Sequence, residues 1–333
     1  MSKANIVSLI FILLLMVGCR SVEQVKPVTE TKTIEISEPV ESSPAPSLSL
    51  LQNKIYDGRD FLLGPILARA NKYTRYYITY LSGQLKISGI MNVPTGDGPF
   101  PILILNHGYI DPAIYTNGRG LKREQDYFAN NDYIVIHPDY RNHADSDKDE
   151  NSELNFRLGY AEDVINLIYA VKASDLDYFD EEKIGMLGHS MGGGVTMNIL
   201  VTQPNLVQAA VLYAPVSANV GDNFDRWTRT RPEVAEKIIA TYGEPKDNPE
   251  FYDNLSPINY LDQIQTPVLL HHGTADADVP IAWSNTFNQA MVSAGKTITY
   301  HIYDGAPHEF IKDWPAFMQR NLNFFDLYLK GQD

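Results

Sequence analysis

The chain has 333 residues, 44% hydrophobic and 20% charged, with a formal net charge of −14. That length suits one large α/β domain or two small ones. The acidic balance argues against a nucleic-acid partner, which needs a basic face, and a single cysteine, Cys19, excludes an intrachain disulfide.

Lys3 precedes an apolar run over 6–17 that ends in Met16-Val17-Gly18-Cys19. The run is short for a membrane span and has the proportions of a signal-peptide core. A small residue followed by cysteine resembles the lipobox of bacterial lipoproteins, although Met16 stands where leucine is usual. That resemblance implies export to a bacterial cell envelope, removal of residues 1–18, and attachment to a membrane through a lipid on Cys19. Residues 19–50 are rich in Glu, Thr, Ser and Pro and poor in apolar side chains. Such a stretch cannot bury enough surface to fold and reads as a flexible tether. The folded domain is then expected over 51–333.

Within that domain, 51–71 is expected to be helical or irregular. Strands follow over 76–81 and 85–93, separated by the hairpin signal Ser82-Gly83-Gln84. After a turn at 94–99, the continuous apolar run 100–105 (FPILIL) reads as a buried parallel strand. A helix over 121–131 and a strand over 133–137 come next. The stretch 154–173 is helical, because Leu158, Ala161, Val164, Ile165, Ile168 and Val171 recur with helical period. A strand over 183–187, a helix over 195–201 and a strand over 209–213 continue the alternation. Residues 218–260 form a polar, helix-containing segment between strands, a candidate lid. Strands over 267–271 and 298–303 and helices over 283–294 and 314–329 complete the chain. Two antiparallel-type strands followed by alternating strands and helices predict a mostly parallel α/β sheet flanked by helices. Ligands in such sheets bind beyond the carboxyl ends of the strands.

One such end carries Gly188-His189-Ser190-Met191-Gly192, a G-x-S-x-G pattern between an apolar strand and an apolar helix. A serine there sits on a tight turn that projects its hydroxyl outward, and the glycines let the backbone make the turn. A nucleophilic serine needs a base, and the base needs an orienting carboxylate. In this type of sheet the chain order is Ser, Asp or Glu, His. Asp276 lies in the loop after 267–271, with Asp278 as the alternative. His308 lies in the loop after 298–303 and is the expected base. The oxygen anion of an acyl-transfer intermediate needs two N–H donors: Met191 follows the serine, and Tyr109 lies in the loop after 100–105. A zinc set of His271, His272, Asp276 and Asp278 is the competing reading. No H-x-x-x-H or H-E-x-x-H spacing supports it, so no metal and no cofactor are expected.

These residues resemble the α/β-hydrolase superfamily, and within it the catalytic domain of the prolyl oligopeptidase family and its dienelactone-hydrolase-like relatives. The segments that carry the likeness are NHGY at 106–109, PDYR at 138–141, GHSMGG at 188–193, HHGTADADVP at 271–280 and GAPHEF at 305–310. The resemblance implies Ser190 as nucleophile, Asp276 as orienter, His308 as base, and Tyr109 and Met191 as oxyanion donors. Full prolyl oligopeptidases carry a β-propeller before the catalytic domain, for which these residues leave no room. The expected activity is therefore hydrolysis of a small carboxylic ester or related acyl bond. A peptidase acting on short peptides is the second reading, and a non-catalytic tethered binding protein the third.

Overall fold

The computed structural model describes residues 44–331. The expected leader, the lipidation site Cys19 and most of the tether lie outside them. Among the described residues, nine strands form one sheet. They are β1 (Arg59–Arg69), β2 (Tyr73–Ser82), β3 (Leu85–Pro94), β4 (Phe100–Asn106), β5 (Ile134–Pro138), β6 (Phe179–His189), β7 (Ala209–Tyr213), β8 (Val268–Gly273) and β9 (Ile298–Tyr303). The spatial order is β1-β2-β3-β5-β4-β6-β7-β8-β9. β1, β2, β3 and β5 pair antiparallel, and every pair from β5 to β9 is parallel.

The parallel strands are apolar throughout because both faces are covered. Ile102 and Ile104 of β4 pack on one face with Val164, Ile168 and Met197 in the same cluster. Leu103 and Leu105, pointing the other way, join Phe128, Phe317 and Phe325. The first layer contains α1 (Leu48–Asn53), α3 (Leu158–Lys172), α4 (Met191–Thr202) and α8 (Ile281–Ser293); the second contains α2 (Lys122–Ala129) and α9 (Trp314–Phe325). All four β4 side chains are fully buried, each worth about 1.5–3 kcal/mol of transfer free energy.

Two expectations need correction. The stretch expected to be helical or irregular contains β1, and the fold begins before residue 51. The Ser47 hydroxyl accepts the Leu50 N–H and caps α1, and Leu48 is buried in the first core layer. The tether composition masked this short capped helix.

The strand order places the site. From β4 the chain crosses to β5 on one side and later to β6 on the other. Loops leaving β4 and β6 therefore diverge and open a crevice at the carboxyl edge. The PDYR motif braces that edge from below. Asp139 accepts bonds from Ser88 Oγ, Tyr115 OH, Asn117 Nδ2 and the Gly118 N–H. Arg141 donates Nε and Nη2 to the Asp163 carboxylate and Nη1 to Asp149.

The segment expected as a lid folds into α5 (Val220–Asn223), a π-helical turn (Phe224–Thr228), α6 (Pro232–Tyr242) and α7 (Pro249–Asp253), followed by a 3-10 stretch (Pro257–Gln263). It has its own small core of Phe224, Ala235, Ile238 and Tyr252, against which Leu154 and Phe156 pack.

Candidate active site

β6 ends at His189 and α4 starts at Met191, so Ser190 alone makes the turn between them. It does so at φ 56°, ψ −121°. A non-glycine residue in that region stores about 1–3 kcal/mol of strain. Surrounding bonds hold it there. Its N–H donates to the Tyr213 carbonyl at 3.0 Å, and its carbonyl accepts from Gly193 at 2.9 Å and Val216 at 3.2 Å. Gly192 must lack a side chain, because a Cβ there would collide with the Asn106 carbonyl. A Cβ on Gly108 would come within 3.1 Å of the Ser190 Cβ, so the loop after β4 touches the turn.

His308 Nδ1–H donates to Asp276 Oδ2 at 2.7 Å. The other oxygen, Oδ1, accepts the N–H groups of Asp278 and Val279 at 2.9 and 2.8 Å. Burial pushes the Asp276 carboxyl up, but bonds from His272, His308 and Val279 outweigh it and hold it well below the usual carboxylate range. It therefore stays ionised and acceptor-only at any ordinary pH. Asp278, the alternative orienter, is exposed, and the His308 Nδ1 bond runs to Asp276.

Two buried rings beside the Ser190 turn stay uncharged. His189 lies against the His308 ring with centroids 4.5 Å apart and the planes tilted by 40°; burial first, and the charge of His308 second, push His189 down to about 3. His107, after β4, is pushed down to about 4, chiefly by burial. As a neutral ring it donates Nδ1–H to the Gly108 carbonyl at 2.7 Å. That bond fixes the Gly108–Tyr109 peptide, and a trans peptide aims its N–H away from its carbonyl. Met191 N–H belongs to the first turn of α4, where helix N–H groups have no partner within the helix. Tyr109 and Met191 are the residues the sequence suggested as oxyanion donors.

Ser190, Met191, Tyr109 and His308 line one cavity of about 570 Å³. Among the described residues, no hydrogen bond joins Ser190 to His308.

The competing zinc set is not assembled. His271 and His272 point to opposite faces of β8: His271 Nδ1 meets Tyr303 OH, and His272 meets Ser284 Oγ and the Val279 carbonyl. Asp276, Asp278 and His308 do bring ligand atoms within 4.8 Å of one another. Both Asp276 oxygens there already accept N–H donors.

Sequence reasoning missed four residues. His272 Nε2 lies 3.2 Å from Asp276 Oδ2 and helps fix it; a histidine in a buried apolar strand was the available signal. Arg157 and Glu153, with Arg231 from the lid, form a charged cluster lining the same cavity. Glu153 and Arg157 stand four residues apart, a spacing common to surface ion pairs, so nothing marked them.

A strand-to-helix serine turn above a mostly parallel sheet, with a carboxylate-bound histidine opening into the same cavity, defines the α/β-hydrolase class of serine hydrolases. The family model described as the prolyl oligopeptidase family matches residues 120–332, and the chain belongs to that family. An uncharacterized peptidase of Bacillus subtilis, YtmA, is 25% identical over 236 residues, covering 71% of this chain and 86% of that protein. An acylaminoacyl peptidase of Pyrococcus horikoshii aligns with a TM-score of 0.63 and 22% identity, over 79% of this chain and 43% of that one. An acetyl xylan esterase from Paenibacillus sp. R4 aligns with a TM-score of 0.64 and 17% identity, over 85% and 92%. This chain thus spans less than half of the acylaminoacyl peptidase. At these identities the structural likenesses speak to the fold alone. The protein is a serine hydrolase, and the reading as a non-catalytic binding protein falls away.

Proposed function

We propose that the protein cleaves a small carboxylic ester or related acyl bond, with Ser190 as nucleophile, His308 as base and Asp276 as its orienter. The observation that carries this reading is the 2.7 Å His308–Asp276 bond at the mouth of the cavity that also holds the strained Ser190. Asp276 fixes the tautomer, leaving His308 Nε2 free to take the proton of Ser190 Oγ as that oxygen attacks the acyl carbon. The Met191 and Tyr109 N–H groups receive the negative charge on the carbonyl oxygen. His308 then returns the proton to the leaving group, and an acyl-enzyme remains. Water, deprotonated by His308 in the same way, releases the carboxylic acid and restores Ser190. A cavity of about 570 Å³ suits a small molecule.

The peptidase names of the family and of its relatives support a second reading, cleavage of short peptides by the same steps. Parallel assays of p-nitrophenyl esters and aminoacyl-amides separate the two. A fluorophosphonate probe tests both together: it should label the protein and fail to label Ser190→Ala. Equal labelling of that variant would remove Ser190 from the mechanism. The export signal and the Cys19 lipid anchor rest on the sequence pattern alone. Cys19→Ser is expected to move the protein from the membrane to the soluble fraction, and continued membrane attachment would reject lipidation as the anchor.

A further inference from the structure

Arg157 occupies an unusual position. It precedes α3 at φ 56°, directly after Phe156 at φ 51°. Two successive non-glycine residues in the left-handed region store strain, and both side chains line the catalytic cavity. The Arg157 guanidinium lies 4.9 Å over the Tyr109 ring, and its Nη1 meets the Met191 sulfur at 3.4 Å. It therefore sits between the side chains of the two residues assigned as oxyanion donors. A thioether sulfur is a weak acceptor. Nε and Nη2 are occupied by Glu153.

The charge count around it is unequal. Glu153 also holds Arg231, through contacts of 3.0 and 3.1 Å. Both arginines share that one carboxylate, which leaves a positive excess beside Ser190 in a chain whose net charge is −14. The contrary charge lies elsewhere in the cavity. Asp278 lines it near His308 and Asp276. The leaving group must depart on the His308 side, because His308 protonates it. The Arg157 contacts run to Glu153, Met191 and Tyr109 and not to His308, which is the acyl side in the pose inferred below.

Resting on the reading of Ser190 as nucleophile, we infer that the acyl group this site takes ends in a carboxylate, which replaces the weak Met191 sulfur as the acceptor of Arg157 Nη1, with the charge of Arg231 behind it. Phe156, Phe224 and Trp227 form the apolar wall along which the intervening carbon chain lies. Asp278 repels the same carboxylate from the leaving-group side and gives the site a direction.

The test compares 4-nitrophenyl hexanoate with mono-4-nitrophenyl adipate, in which the terminal methyl becomes a carboxylate. The full-length wild type is expected to favour the adipate in kcat/KM by about 10–100-fold, the range of a charge-assisted hydrogen bond. In Arg157→Gln that ratio should fall to about one, through KM more than kcat, and Arg157→Lys should recover part of it. The preference should also weaken with salt, because the site is partly open. An unchanged ratio in Arg157→Gln, in protein that still reacts with the fluorophosphonate probe, overturns the inference. So does a wild type that prefers the hexanoate. Failure of Ser190 to react with the probe in the wild type would strike the parent reading instead. If Arg157→Gln does not fold, Arg231→Gln gives the same readout from the lid, with a smaller drop expected.

Discussion

Arg141 and Arg157 flank one loop and meet opposite fates. Arg141 is 8% exposed and its donors all reach oxygen: both Asp163 oxygens, Asp149, and Glu162 at 3.5 Å. Arg157 is 20% exposed, shares its only carboxylate with a second arginine and turns one nitrogen toward sulfur. The first network is closed and the second is unsaturated. A closed buried network holds strand ends and loops in place and has nothing left to offer a ligand. An unsaturated one at a cavity wall can still make bonds, and a substrate can supply them.

That contrast can be broken at several strengths. The largest effect belongs to the chemistry both networks surround. Ser190→Ala is expected to lower kcat by about 10⁶-fold, as in other triad enzymes. Turnover near wild type in that variant would place the nucleophile elsewhere. Next comes the closed network: Arg141→Met leaves Asp163 buried without its partner and should cost about 3–5 kcal/mol of stability, read from the urea midpoint. Arg157→Met should cost well under half of that. Equal losses would erase the distinction between the two arginines.

A smaller effect comes from pH. His107, His137, His189 and His271 are buried, and burial pushes each well below the usual 6.5. Because their folded values are depressed, the unfolded chain binds protons that the folded one refuses. Stability is complete above about 6.5 and is lost as pH falls below it. From pH 7 to 6 each histidine costs about 0.7 kcal/mol, about 2–3 kcal/mol together. Glu153 keeps its charge over that window: burial raises it, but Arg157 and Arg231 hold it below the usual carboxylate range. The interior should therefore weaken while the Glu153 carboxylate keeps its charge. Calorimetry at the two pH values measures this, and an unchanged Tm would contradict it. The smallest effect is Glu153→Gln, which removes the carboxylate both arginines share. It should raise the adipate-to-hexanoate ratio about threefold, in the range of a partly exposed ion pair; a fall would mean that Glu153 orients Arg157 more than it neutralises it.

What the sequence disclosed follows from physics that acts locally. FPILIL announced β4 because a strand covered on both faces has no polar alternation. The turn at Ser190, and the order of Ser190, Asp276 and His308, were legible because loops at strand ends carry few alternatives. β1 was not legible. It is an edge strand with Pro65 in it, it is mostly exposed, and its aliphatic residues fall into no period of two. The cluster of Arg157, Glu153 and Arg231 was hidden for a different reason. A charged residue on a solvated helix and one on a cavity wall look alike until the lid is placed over them.

β1 has a bearing on how the protein behaves in concentrated solution. It is one of the two edge strands, eleven residues long, and Leu62, Leu63, Ile66 and Leu67 are exposed along it. A straight edge of that kind would be a template for pairing with another copy. Its register against β2 breaks between Arg59 and Leu62, between Leu63 and Ile66, and between Ile66 and Ala68. Pro65 lies within the second of these breaks and has no N–H to donate. The irregularities that hid this strand from sequence reasoning are the same ones that deny a neighbour a regular ladder, so smoothing them would promote self-association and leave turnover untouched.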